Sequence, residues 1–296
     1  MSVVAVDIGG TQTRVARLEG GRLNDRRAFP TQDLDVLIAA IAAVDPDGLD
    51  AVGIAFAGAL DMRRGCILNS PNLKGWQDLN LPAELGKRLG RPVYLGNDAS
   101  CAALGELTRG SRARDFAYVT WSTGIGGGFV SGGRVLWGST GMAAEVGHIV
   151  LWPDGPLCDC GKHGCLEAIA SGTGIRRLTQ EKMGSALSAE ETVARAQKGE
   201  RIPEEIVETA CRAMAQGLAI VSELLEPEVL VLGGGITRSW AYLGTKVERA
   251  LSAMARSAPP LRLTELGDDV GLYGAAALPE HWPEHWPPPA HSASEA

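Results

Sequence analysis

The sequence predicts an α/β protein built from two related domains with a cleft between them. Three observations lead to this class. Short β-branched runs alternate with helical stripes along most of the 296 residues, which is the pattern of layered α/β architecture. A strand, turn, strand, turn, strand order occurs twice, each time with a polar glycine-rich first turn and a two-glycine second turn, as in a duplicated half. The chain is also long enough for two ordinary domains, burying about three quarters of its surface. The two meanders match weakly in sequence, so the duplication is an argument from topology.

The first meander runs from VVAVDIGG through TRVARLE and the Gly20-Gly21 turn to RLNDRRAF. Next, DLDVLIAAIAAV (33–44) carries apolar residues at Leu34, Leu37, Ile38 and Ile41, a helical stripe with Asp33 as N-cap. AVGIAFAG (51–58) reads as a buried strand, LPAELGKRLG (81–90) as a short helix, and PVYLGN as a strand leading into a helix over 98–108. The second meander is FAYVTWSTG, Gly126-Gly127-Gly128, FVS, the Gly132-Gly133 turn and RVLWG. Beyond it the pattern is mostly helical. Residues 203–227 begin at Pro203 with acids in the first turn, and carry a stripe of Ile206, Ala210, Met214, Leu218, Val221 and Leu225. VLVLGGG (229–235) is a buried strand entering a glycine turn, SWAYLGTKVERALSAMA a helix, RLTEL a last strand and GLYGAAALP a last helix. The tail EHWPEHWPPPAHSASEA has no period and reads as loosely held.

Composition narrows the function. Apolar content of 45% and charged content of 21% are globular values. A net charge of −7 without a basic block argues against a nucleic-acid partner. MSVVAVDIGG lacks the basic start and long apolar core of a secretory signal, and no apolar run reaches membrane-spanning length. The expectation is therefore a cytoplasmic protein with reduced thiols and no membrane partner.

Cys158, Cys160 and Cys165 fall in the run CDCGKHGCLE, ten residues after His148. Three thiolates and an imidazole complete a closed tetrahedral zinc site, which shapes a loop and leaves no open position for water. His163 competes for the fourth place. The alternative, three thiols buried as small hydrophobes, sits badly with Asp159, Lys162 and His163 in the same stretch. Cys66, Cys101 and Cys211 stand singly in apolar or helical surroundings and read as core.

Three glycine turns could cradle phosphate or nucleoside. Asp7-Ile8-Gly9-Gly10-Thr11 offers bare backbone, hydroxyls at Thr11 and Thr13, and an acid suited to a magnesium-bound water. It lacks the Gly-Lys-Ser/Thr ending of a Walker loop, and a plain hairpin turn explains it equally well. Ser122-Thr123-Gly124-Ile125-Gly126-Gly127-Gly128 is the second turn, whose hydroxyls and glycines at a strand end suit a phosphate cradle, and Gly233-Gly234-Gly235 the third, with a helix-entry loop as its competing reading. Asp98, at a strand-to-helix junction, is either an N-cap or a general base at a strand's C-terminal end. Glu145, His148 and Glu167 gather near the cysteines, and such a set suits a polyol and repels an anion.

Taken in order, DIGGTQTRVA, AFAGALD, NSPNLKGW, GNDASCAALGE, STGIGGGFV, AAEVGHI, CDCGKHGCLEAIASG and LGGGI resemble the ROK family (repressor, open reading frame, kinase) over nearly the whole chain. The resemblance is strongest to its glucokinases. It implies the two-domain actin-like, ribonuclease-H-like fold, with 1–115 plus a C-terminal helix from about 271 in one domain and 116–270 in the other. It implies ATP-dependent phosphorylation of a hexose, with glucose first and mannose, fructose or an N-acetylated hexosamine as alternatives, by a homodimer or larger assembly. Asp98 is the implied catalytic base. Gly58, Asn72, Asn97, Glu145, His148 and Glu167 are the implied sugar ligands, with Glu167 far from the transferred phosphate. Asp7, Gly9, Gly10, Thr11 and Thr13 form the implied first phosphate loop with Mg²⁺. Thr123, Gly124 and Gly126 form the second, and Gly234 lies in the adenosine site. His148, Cys158, Cys160 and Cys165 are the implied structural zinc ligands. Two positions depart from the family pattern. Gln12 stands where many relatives have Lys, so a cation at the phosphates is absent or comes from elsewhere. Ala57-Gly58-Ala59 replaces Pro-Gly-Pro, which softens that loop. Relatives that act as repressors carry a helix-turn-helix ahead of the kinase part, whereas here the first strand begins at Val3. A non-catalytic actin-like assembly protein is the other rival, opposed by the cysteine cluster and the Asn97-Asp98 pair.

Overall fold

The structure is a computed structural model describing residues 2–31, 33–45, 48, 50–69 and 75–286. The chain forms two compact units. One comprises residues 1–112, 135–143 and 268–296, and the other residues 113–134 and 144–267.

The first unit is built on β1 (Val3–Ile8), β2 (Gln12–Glu19), β3 (Arg22–Pro30), β4 (Ala51–Phe56) and β7 (Val93–Asn97), ordered β3-β2-β1-β4-β7. The meander pairs antiparallel, and β1, β4 and β7 run parallel. In β4 every residue is buried, as its unbroken apolar run requires. A small hairpin, β5 (Ala59–Asp61) and β6 (Cys66–Asn69), follows β4. The helices are α1 (Leu34–Val44), α2 (Leu81–Leu89), α3 (Asp98–Arg109) and, from the chain's far end, α9 (Val270–His281). As expected, Asp33 caps α1 by accepting from the Val36 N–H at 3.1 Å. Helix α9 lies directly on the sheet and on α3, because glycines remove the side chains between them. A Cβ on Gly53 of β4 would sit 1.8 Å from the Ala275 carbonyl oxygen, and one on Gly274 1.6 Å from that of Cys101.

Two features of this unit were not expected from sequence. Residues 135–143 belong to it, with Trp137 buried in its core and the Met62 N–H donating to the Thr140 carbonyl at 2.8 Å. Part of the supposedly loose tail is also docked. Helix α9 continues through Pro279, Trp282 packs edge-on against Tyr94, and Trp286 packs edge-on against Trp282, almost fully buried.

The second unit repeats the sheet. Its strands are β8 (Phe116–Trp121), β9 (Ile125–Ser131), β10 (Arg134–Val135), β11 (Val229–Gly233) and β12 (Leu261–Leu263), ordered β10-β9-β8-β11-β12. The β8–β9 pair is antiparallel, and β8, β11 and β12 run parallel. Both sheets therefore place their first strand in the middle, flanked by its own hairpin and a later parallel strand, as the two-meander reading anticipated. Helices α4 (Leu166–Ala170), α5 (Gly172–Met183), α6 (Ala189–Gln197), α7 (Arg201–Leu225) and α8 (Trp240–Met254) complete the unit. On α7 the stripe Ile206, Ala210, Met214, Leu218 and Val221 is buried, with Leu225 only half-covered at the helix end. Among the described residues no helix is long and apolar enough to cross a membrane.

Candidate active site

In the first unit the C-terminal ends of β1, β4 and β7 lie side by side, with Ile8 opposite Phe56 and Phe56 opposite Asn97. Asp7, the Gly9–Thr11 turn, Gly58 and the Asn97-Asp98 junction sit at these ends. Open α/β sheets bind ligands at strand C-termini because loops and helix N-termini converge there. Asn97 caps α3, its Oδ1 accepting from the Ser100 N–H at 3.1 Å. This leaves Asp98 as the first helical residue, half-buried, with Oδ1 accepting from the Ala99 N–H at 2.8 Å. The cap role and the acid are thus divided between the two neighbours. Asp98 and Asp7 both act on Cys101, whose thiol is held well above its usual range by burial first and by these two carboxylates next.

Asp7 is half-buried, and burial raises its carboxyl above the ordinary range, opposed by Arg14. Arg14 faces Asp7 across the β1–β2 ladder, forms an ion pair with it and also donates to the Asp268 carbonyl. Arg14 is therefore a cation at the first turn of the chain that carries Gln12. Sequence reasoning passed over it, although opposite charges placed symmetrically about a tight turn are a readable sign. Thr11 is exposed on the turn, while Thr13 is not free for a ligand: it is buried, and its hydroxyl shares a 3.0 Å hydrogen bond with Thr31. Thr31 in turn donates to the Gly9 carbonyl at 2.8 Å, so Thr13 shapes the turn from beneath. Asn72 lies outside the described residues.

In the second unit, Thr123 is exposed on the β8–β9 turn, and Gly124 and Gly126 are half-buried. Gly234 follows β11 at φ +92°, and a Cβ there would meet the Trp121 carbonyl oxygen at 2.6 Å, so only glycine suits this turn. Not every glycine here serves a ligand. A Cβ on Gly127 would press within 2.5 Å of the Ala144 carbonyl oxygen, so that residue admits the 144–148 segment against β9.

That segment carries Glu145 and His148, with His148 Nε2 3.7 Å from the Glu145 carboxylate. Burial pushes the Glu145 carboxyl up, His148 pulls it back, and Glu167 adds to the rise. The other nitrogen of His148, Nδ1, lies 3.6 Å from Cys158 Sγ, and Cys160 Sγ lies 3.7 Å from Cys165 Sγ. All four ligand atoms fall within 4.8 Å of one another. A tetrahedral ion with bonds of about 2.3 Å to sulfur and 2.0–2.1 Å to nitrogen gives ligand separations of about 3.8 and 3.5 Å, so the donor set fits such an ion. The Cys165 thiol is pushed up to about 12 by burial first and then by the neighbouring thiols, a crowding that a bound cation would relieve. His163 is exposed, with its Nδ1 3.0 Å from the Gly155 carbonyl oxygen, and stands outside the cluster. Glu167, two residues after Cys165, accepts from the Ile125 N–H at 2.8 Å and so lies against the second glycine turn, not apart from it.

The sequence profile of the ROK family matches residues 3–281. The chain belongs to the ROK family. It is 35% identical to a glucokinase of Thermotoga maritima, over 94% of this chain and 97% of that one. It is also 35% identical to an N-acetylmannosamine kinase of Citrobacter koseri, over 94% and 98%. Among solved structures, a ROK family glucokinase from Streptomyces griseus in complex with glucose and AMPPNP superposes with a TM-score of 0.80 at 28% identity, covering 94% of this chain and 99% of that one. This ROK protein is a sugar kinase with the two-domain actin-like fold of its relatives.

Proposed function

We propose that this ROK kinase transfers the γ-phosphoryl group of ATP to the 6-hydroxyl of a hexose, with glucose as the preferred acceptor and Asp98 as the general base. The observation that carries the reading is the Asn97-Asp98 junction. Asn97 spends its side chain on the helix cap, and the adjacent Asp98 carboxylate stands at the end of β7, where a general base that takes a hydroxyl proton is expected. Transfer of this kind is achieved by positioning and charge stabilisation, and the residues divide accordingly. Asn97, Gly58, Glu145, His148 and Glu167 are assigned to the sugar, with Asn72 carried by resemblance alone. Gly9, Gly10, Thr11, Thr123, Gly124 and Gly126 are assigned to the phosphates, Thr13 acts indirectly as described above, and Gly234 is assigned to the adenosine. Magnesium bound with the nucleotide would neutralise phosphate charge. Asp7 is the carboxylate at that turn, paired with Arg14.

His148, Cys158, Cys160 and Cys165 are assigned to a structural zinc ion, with His148 Nδ1 as the nitrogen ligand. The imidazole then has Nε2 left for a sugar hydroxyl, and the metal fixes the ring's tautomer and direction. A homodimer or larger assembly and a cytoplasmic setting complete the reading on resemblance.

The acceptor is tested by ADP release with ATP over glucose, mannose, fructose and N-acetylmannosamine. The expected result is the highest kcat/KM with glucose. The equal identity to an N-acetylmannosamine kinase supports a second reading, which the same screen selects if that hexosamine gives the highest value.

A further inference from the structure

The segment that follows the last cysteine meets the second glycine turn and the strand end before it at four residues, Glu167, Ala170, Gly172 and Thr173. Trp121 Nε1, at the end of β8, donates to the Ala170 carbonyl at the end of α4 at 2.7 Å. The Gly172 N–H donates to the Ser122 carbonyl at 2.9 Å, and the Thr173 N–H to the Thr123 carbonyl at 3.1 Å. The Thr173 hydroxyl donates to that same carbonyl, also at 3.1 Å. Glu167 closes the set by accepting from the Ile125 N–H. Ile125 is held from its other side as well: a Cβ on Gly147, the neighbour of His148, would lie 2.0 Å from the Ile125 carbonyl oxygen. Gly124 leaves no room for a side chain, since a Cβ there would sit 2.6 Å from the Glu167 carboxylate. Both segments that supply the metal-ligand set therefore bear on one turn, at Ile125.

We propose that residues 165–173 form a strut through which the cluster of three cysteines and His148 sets the conformation of the Ser122–Ile125 turn, so that Glu167 and Thr173 are positioning residues for nucleotide binding. This deepens the kinase reading above and rests on it. A glycine turn cradles phosphate only when its N–H groups converge, and an isolated flexible turn would lose entropy in ordering. Here that ordering is built in beforehand by five hydrogen bonds. Thr173 is exposed and at the start of a helix whose cap is Ser171, so its side chain can be changed without disturbing the core.

Calorimetric binding of a non-hydrolysable ATP analogue, without sugar, tests the strut. Thr173→Val should weaken binding roughly 2–10-fold, the worth of one neutral hydrogen bond, and Thr173→Ser should restore it. Glu167→Ala should weaken it roughly 10-fold or more, and Glu167→Gln, which still offers an oxygen to the Ile125 N–H, should lose less than Glu167→Ala. Glucose affinity of Thr173→Val and zinc content of both Thr173 variants should equal the parent's, which separates the strut from damage to the metal loop. Protein stripped by a chelator under conditions that preserve its far-ultraviolet circular dichroism should show reduced analogue affinity too. Parent-like analogue affinity in Thr173→Val and Glu167→Ala, or in the stripped protein, overturns the proposal and leaves the kinase reading standing. A parent chain that binds no analogue overturns both.

Discussion

At the scale of single residues, Asp98 and Glu145 make separate demands. If Asp98 takes the hydroxyl proton, Asp98→Asn preserves size and the Ala99 contact while removing the base. The expected loss is ~10²–10⁴-fold in kcat with little change in the KM of either substrate. Steady-state kinetics check it, and near-parental kcat removes Asp98 from the chemistry. Glu145 predicts a pH effect on stability. Its carboxyl titrates above the ordinary range in the folded chain because burial opposes its charge. The unfolded chain ionises it at the usual value, so above that value the ionised group disfavours the fold. In protein stripped of metal, Glu145→Gln should therefore melt at a higher temperature than the parent near pH 7, with the difference shrinking as pH falls toward the ordinary glutamate range. Equal melting temperatures at neutral pH would show that burial at this site is not felt. The residues legible in the sequence were those with chemical reactivity: Asp98, the cysteines and His148. Those that escaped it, Arg14, Gly147 and Thr173, act through partners across a turn or many residues away.

At the scale of elements, glycine decides how closely helix and sheet approach. Helix α9 rests on the backbone of α3 and β4 at Gly274 and Gly53. Adding one methyl forces the helix outward, and overpacking of this kind costs typically about 1–3 kcal/mol. Gly274→Ala should lower the melting temperature of the folded protein by several degrees, and an unchanged melt would mean that α9 packs less tightly than described. Sequence period located most of these elements, since strands and amphipathic helices each carry their own repeat. It read the three glycines of 126–128 as a phosphate feature, yet Gly127 makes room for the segment that bears His148. A glycine's purpose lies in whatever approaches it, and for Gly127 that neighbour, Ala144, is 17 residues away in chain order. The tail was misread for a similar reason. Proline and lack of period suggest looseness, but Trp282 and Trp286 find Tyr94 and the core of the first unit.

At the scale of the whole molecule, the Ser122–Ile125 turn of the second unit is hydrogen-bonded to the segment that follows the cysteine cluster. One zinc ion per chain is expected from metal analysis of protein purified without added zinc. Cys160→Ser should lower both metal content and sugar affinity, because coordination energy is also folding energy for the loop. Retention of both would separate the cluster from the sugar site. The duplicated sheet was legible from the paired meanders, while the excursion of 135–143 into the first unit was not, because nothing local marks where a strand leaves one unit for the other. The central claim is phosphoryl transfer from ATP to a hexose, and ADP release measured with and without glucose, together with analysis of the sugar product, tests it most directly. The expected result is ADP release that depends on glucose, with one glucose 6-phosphate formed per ADP. ADP formed at the same slow rate whether or not any of the four hexoses is present would contradict it.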